Sequence, residues 1–257
     1  MSPRPRASAE RHFWSRIVQV AFVAAILLLW VLATDVWHVS HILLPRPLNV
    51  WAQFVDIIRT GEFIPDLLVT LRELAAAFAI SLTLGITIGF LISRSQYLVK
   101  VFEPLFAGIY SIPIILFLPL YVLFFGLGSP SKIALGATIS FFPIVLNTIL
   151  GFGYVDRGLA TAARSMGASD LQLFRYVLFP AALPVILAGL RMGFTVALLS
   201  VIGSETIASL AGLGHRIVNL AENMDMARMF AYIVFVVAIA AFLNAVVSRL
   251  EARGKWR

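Results

Sequence analysis

Six runs of apolar residues, each long enough to cross a lipid bilayer, decide what this chain can fold into. They are Ile17–Thr34, Leu74–Ser93, Val101–Phe125, Ile133–Gly153, Leu183–Gly203 and Met229–Ser248. At a rise of 1.5 Å per residue, about 20 apolar residues cross the ~30 Å hydrocarbon layer as a helix. Inside that layer each backbone N–H and C=O must be satisfied by protein, and a helix does this within one segment. Composition agrees. Hydrophobic residues make up 60% of the chain and charged residues 13%, about half the ~25% of a soluble domain. The expectation is an all-α integral membrane protein of about six transmembrane helices, forming one domain over residues 1–257.

Orientation follows from the basic residues, because short cytoplasmic loops are enriched in Lys and Arg. One side collects Arg4, Arg6, Arg11, Arg16, Arg94, Lys100, Arg157, Arg164, Arg175, Arg249, Arg253, Lys255 and Arg257. The other collects only Arg46, Arg59, Arg72, Lys132, Arg216 and Arg228. Both termini are therefore expected in the cytoplasm. The same distribution turns the net charge of +7 away from nucleic-acid binding, since the charge sits in short loops and tails. The first apolar run is longer than a signal-peptide core and no small-x-small cleavage site follows, so it reads as an uncleaved first span.

Between the first two runs, the stretch from Asp35 to Asp66 is too polar to cross and is expected to hold a short amphipathic helix around Val50–Arg59. Gly85 and Gly89 form a small-xxx-small pair suited to close helix packing. Pro104, Pro113 and Pro119 all fall in the third run, which predicts kinks or interruptions there. Such irregular helices belong where a neighbour or a cavity satisfies the freed carbonyls. Glu205 to Arg228 reads as an outer loop. Ser111, Pro113, Asn147, Ser200 and Glu205 are the candidates for a translocation pathway, and Arg191 sits inside the fifth run with a structural role favoured. There are no cysteines, and His12, His38, His41 and His215 do not cluster at ligand spacing within a span, so no metal site is expected.

The stretch from Tyr154 to Pro180 is the longest inner loop. Leu159, Ala162, Ala163 and Met166 recur at i, i+3, i+4 and i+7 and give a short helix one apolar stripe. Gly167 ends it. Ser169 and Gln172 have capping-box spacing for a second helix, striped by Leu171, Phe174 and Leu178. Pro180 and Pro184 mark re-entry into the membrane. The first stripe is largely alanine, and small side chains let another surface approach the backbone closely.

These residues resemble the cytoplasmic signature of binding-protein-dependent ABC permeases: Glu-Ala-Ala, three residues, Gly, nine residues, Ile-x-Leu-Pro. The chain has Thr161-Ala162-Ala163, three residues, Gly167, nine residues, then Val177-Leu178-Phe179-Pro180. Thr161 departs from the family's usual glutamate. Leu44 to Trp51, Ser111 to Pro113, Phe141 to Asn147, Pro180 to Arg191 and Gly212-Leu213-Gly214 further resemble the branch importing nitrate, taurine and alkanesulfonates. That branch also includes permeases for pyrimidine-type vitamin precursors.

The resemblance implies a type I importer permease fold in the bacterial cytoplasmic (inner) membrane. It implies a pathway formed by two copies, a cytoplasmic ATP-binding subunit as partner, and a periplasmic or lipid-anchored substrate-binding protein. Leu159, Thr161, Ala162, Ala163, Met166 and Gly167 would then dock the ATPase. The chain has no Gly-x-x-x-x-Gly-Lys-Ser/Thr phosphate loop, and its only Gly-Lys pair, Gly254-Lys255, runs into Trp256. No cofactor is expected on this chain, and ATP belongs to the partner. A membrane-embedded enzyme is disfavoured because all four histidines lie outside the runs. An ion-gradient permease stays the lesser alternative, with no internal repeat to support it.

Overall fold

The computed structural model describes residues 6–40 and 43–254. Arg4, His41, Lys255 and Arg257 of the charge and histidine reading lie outside them. The described residues form helices and turns, with no strand among them. In chain order they are α1 (Arg6–Asp35), α2 (Pro47–Thr60), α3 (Ile64–Ser93), α4 (Gln96–Tyr110), α5 (Leu118–Phe125), α6 (Ser129–Gly153), α7 (Arg157–Ser165), α8 (Asp170–Leu173), α9 (Phe179–Ile207), α10 (Leu213–Glu222) and α11 (Met226–Gly254). Among the described residues, five helices are long and apolar enough to span, and α4 with the bent segment that follows makes a sixth.

The chain divides into two compact units. One comprises residues up to Gly61 together with Asn219–Val234. Here the Trp30 indole donates to the Pro45 carbonyl at 3.1 Å, and its ring lies 5.9 Å from Phe230. Ion pairs Arg46–Asp35 and Arg228–Asp56, each 3.1 Å, tie the connecting turns. The expected amphipathic helix is α2. It starts on Pro47, whose missing N–H costs nothing at a helix start, and stops at Gly61, whose φ of +68° closes the C-cap.

The other unit comprises Glu62–Val218 and the chain from Phe235 onward. Its centre is α6, packed between α3 and α9. Glycines make the approach close. A Cβ on Gly85 would come within 2.7 Å of Ile144, and one on Gly193 would strike the same side chain from the opposite side. Gly89 abuts Thr148 and Gly189 abuts Asn147 in the same way. Both glycine pairs are four residues apart, one helical turn, and together they clamp α6. Across the same unit α9 meets α11 through Thr195, whose hydroxyl donates to Asn244 at 2.8 Å, and through the Arg191–Glu251 ion pair at 3.5 Å. That pair gives Arg191 its partner within the bundle.

Three expectations change, and the interruption expected in the third span is found. The second span begins at Ile64, ten residues before Leu74, so Arg72 and Glu73 lie within it. Glu73 interrupts the apolar run yet is buried inside the protein, where it meets polar partners. The third span is broken, with a bend of 71° between Tyr110 and Ile114. Pro113 sits at the break, Pro104 is carried inside α4, and Pro119 occupies the first turn of α5, where its ring is tolerated. The second inner-loop helix is not separate: α8 runs through a π-helical turn, Phe174–Leu178, straight into α9. Lastly, Glu205 belongs to the final turns of α9, and the outer loop that follows contains α10.

Candidate functional site

The inner loop is built by its caps. Asp156 accepts the Gly158 N–H at 2.8 Å and starts α7. Gly167, at φ +82°, turns the chain in a conformation that L side chains rarely adopt. Ser169 and Gln172 then form the expected capping box: the Gln172 side chain accepts the Ser169 N–H at 2.8 Å, and Ser169 accepts the Gln172 N–H at 3.3 Å. On α7 the predicted stripe faces outward. Met166 is 88% exposed and Leu159 50% exposed, with Ala162 exposed and Ala163 half-buried beside them. On α8 the inward residue is Leu173, not Leu171, which is 74% exposed. The π-helical turn adds a residue per turn and shifts the stripe's phase.

Aromatic packing joins this loop to the spans. The Phe174 ring lies 5.5 Å from Phe90 of α3, 6.1 Å from Phe152 of α6 and 6.0 Å from Phe179 of α9. The inner ends of α4 and α6 are tied as well. Gln96 donates to the Gly153 carbonyl at 2.9 Å, and the Tyr154 phenol donates to Glu103 at 3.1 Å. That hydrogen bond, and then the carboxylate charge behind it, hold the Tyr154 phenol above its ordinary pKa.

The outer ends of α3, α6 and α9 meet in a buried polar cluster. Glu73, Lys132 and Glu205 are each no more than 1% exposed. Lys132 donates to the carbonyls of Leu127 and Gly128, closing the turn before α6. Glu205 accepts the Thr70 hydroxyl at 2.7 Å and the Gly214 N–H at 2.8 Å. The Leu213 N–H donates to the Thr70 oxygen at 3.0 Å, and the Gly212 N–H to Asp66 at 3.2 Å. This explains Gly212-Leu213-Gly214. Gly212 has φ +108°, and a Cβ there would enter the Glu205 carboxylate, while a Cβ on Gly214 would come within 2.7 Å of the Glu205 Cβ.

The pathway candidates are spread over the unit rather than brought together. Ser111 and Pro113 are exposed at the break. Asn147 packs on Gly189 and donates to the Pro143 carbonyl at 2.8 Å, so it sits at the α6–α9 contact. Ser200 and Glu205 are buried inside the bundle. Sequence reasoning missed Lys132, Glu73 and Thr70 as partners of Glu205. Charges at apolar-run boundaries were the signal for Glu73 and Lys132, and Thr70 had none.

Residues 81–255 match the family described as binding-protein-dependent transport system inner membrane component. The chain belongs to that family. The permease is 29% identical over 255 residues to the putative aliphatic sulfonates transport permease protein SsuC of Bacillus subtilis, covering 99% of this chain and 92% of that one. It is 29% identical over 231 residues to the taurine transport system permease protein TauC of Escherichia coli, covering 88% and 84%. Its fold matches the MetNI methionine ABC transporter, solved in inward-facing conformations, with a TM-score of 0.65 at 18% identity over 76% of this chain and 97% of that chain. The permease therefore has the type I importer fold. It is the channel-forming, multi-pass inner-membrane subunit of an ABC importer, and works with an ATP-binding subunit and a substrate-binding protein.

Proposed function

We propose that two copies of this permease form the pathway for a small organic anion of the sulfonate or taurine kind, and that each copy docks its ATPase through Leu159, Thr161, Ala162, Ala163, Met166 and Gly167. The observation that carries the docking is the exposed apolar stripe of α7 in a polar inner loop. An exposed apolar stripe of this kind marks an interaction surface, and its alanines let a groove close on the helix backbone. ATP is bound and hydrolysed by the partner chain, and this chain needs no cofactor of its own.

The mechanical reading follows from continuity. Closure of the ATPase pair moves α7 and the Gly167 turn. From Asp170 to Ile207 the chain is one helical rod, and Phe174 clamps its base to α3 and α6. A displacement at the loop therefore tilts spans instead of dissipating in a flexible linker, which is how a packed bundle switches between two openings. Ser111 and Pro113 belong to the pathway wall. Asn147, Ser200 and Glu205 hold that wall in shape from behind.

The names of the relatives in Bacillus subtilis and Escherichia coli support the solute class. The test is uptake into vesicles holding the complete importer. ATP-dependent accumulation of taurine or a short alkanesulfonate is expected. Uptake that ignores ATP contradicts the coupling. Uptake confined to a pyrimidine-type compound contradicts the solute class alone.

A further inference from the structure

The break in the third span has a depth that can be read from its neighbours. The Tyr110 ring stacks on Phe142 of α6 with centroids 6.0 Å apart. Phe142 lies near the middle of Ser129–Gly153, roughly 17–20 Å from either end at the helical rise. The irregular backbone at 111–113 is thus at mid-membrane. It is also open: Ser111 and Pro113 are exposed and Ile112 is 47% exposed. Non-helical backbone at this depth does not face lipid. It is tolerated where it is covered by protein or lines a water-filled cavity.

Beside the break is a cavity of about 430 Å³, within the ~300–1,000 Å³ of small-molecule sites. Ile109, Ile112, Leu120 and Phe142 contribute to its wall. No charged side chain lines it, and the only polar ones are Tyr121 and Thr138. The Tyr121 hydroxyl donates to Thr138 at 2.9 Å, and Thr138 donates on to the Ala134 carbonyl at 2.8 Å. That pair leaves the Tyr121 oxygen as an acceptor at the cavity edge.

We propose that this cavity is a subsite on the translocation pathway that seats the apolar part of the solute, an alkyl chain or ring, while the ionised group stays in the water of the pathway. The proposal rests on the importer reading and extends it to solute shape. An uncharged wall offers an anion nothing, whereas each methylene seated strengthens binding about fourfold. A two-carbon solute gains little here and a long-chain alkanesulfonate gains much.

The chain has no cysteine, so an introduced thiol is the only one on the permease, and labelling is read on the permease band alone. Ile112→Cys, and separately Leu120→Cys, are placed in the complete importer in lipid vesicles and treated with a charged, water-borne methanethiosulfonate. Both thiols are expected to be labelled. Octanesulfonate is expected to protect them at a concentration on the order of 100-fold below that needed for ethanesulfonate, as three to four seated methylenes require. No labelling at either position overturns the proposal, because lipid or the second copy then fills the cavity. Labelling with equal protection by both sulfonates, or with none, also overturns it, leaving a wet wall without a subsite. These outcomes do not depend on whether the ATPase co-purifies or on whether uptake needs ATP, so failure of the subsite is separable from failure of the importer reading.

Discussion

At the scale of single residues, the chain's largest electrostatic commitment is Lys132 between Glu73 and Glu205. Removing one member of a buried charge network strands the others, which costs about 3–5 kcal/mol. Lys132→Met is therefore expected to lower the stability of the purified permease by about that amount in a thermal or denaturant unfolding series. The double variant with Glu73→Gln is expected to lose less than the two single changes summed, with an interaction of about 0.5–3 kcal/mol. Additive losses would mean that Lys132 serves only the Leu127 and Gly128 carbonyls it caps. Gly212→Ala has two reasons to fail: φ of +108° and a Cβ directed into the Glu205 carboxylate. A variant that unfolds at the wild-type temperature would show that the outer loop is not pinned as described. This cluster was barely legible in the sequence. Its members lie on separate helices, and the apolar-run test discounts a span wherever a charge interrupts it, which is why α3 was expected to begin after Glu73.

At the scale of elements, local chemistry was legible and continuity was not. The capping box at Ser169, the turn at Gly167, the α2 helix and the packing of Gly85 and Gly89 could be read directly, because each is set by residues within one or two turns. Gly189 and Gly193 carry the same spacing, but their clamp needs α6 on the far side to be visible. Prolines marked the third span as irregular. Only the assembled neighbours show that Pro113 breaks it while Pro104 and Pro119 do not. The fusion of α8 with α9 was hidden by Pro180, which reads as a boundary yet sits in the first turn of α9, where its missing N–H is harmless. Two outcomes follow. Ser169→Ala is expected to cost about 1 kcal/mol, seen as faster proteolysis or hydrogen exchange confined to residues around α8. Phe174→Ala is expected to leave the ATPase bound while reducing transport per ATP hydrolysed, because the clamp to Phe90 and Phe152 is lost. Unchanged coupling in that variant would place force transmission elsewhere.

At the scale of the whole molecule, the permease has a closely packed three-helix core and, as an ABC importer subunit, depends on an ATP-binding partner for its energy. On the docking proposal, the glycine-clamped α3–α6–α9 core is the stiff frame, the continuous rod from Asp170 is the lever, and the exposed stripe on α7 is the handle. The membrane class and the number of spans were readable from apolar length, and the inner-loop caps from spacing, while the start of the second span was not. The resemblance gave the solute's class and not the solute itself. Docking through α7 is the claim on which the rest turns, and its most direct test is co-purification. The permease, tagged after Arg257, is extracted gently with ATP and vanadate present, with and without Ala163→Glu. The ATP-binding subunit is expected with wild type and at least tenfold depleted with the variant, while the variant's own yield and thermal stability stay unchanged because Ala163 is not one of the buried core residues. An ATPase retained equally by both would contradict docking through this helix, and its absence from both would contradict the importer assignment.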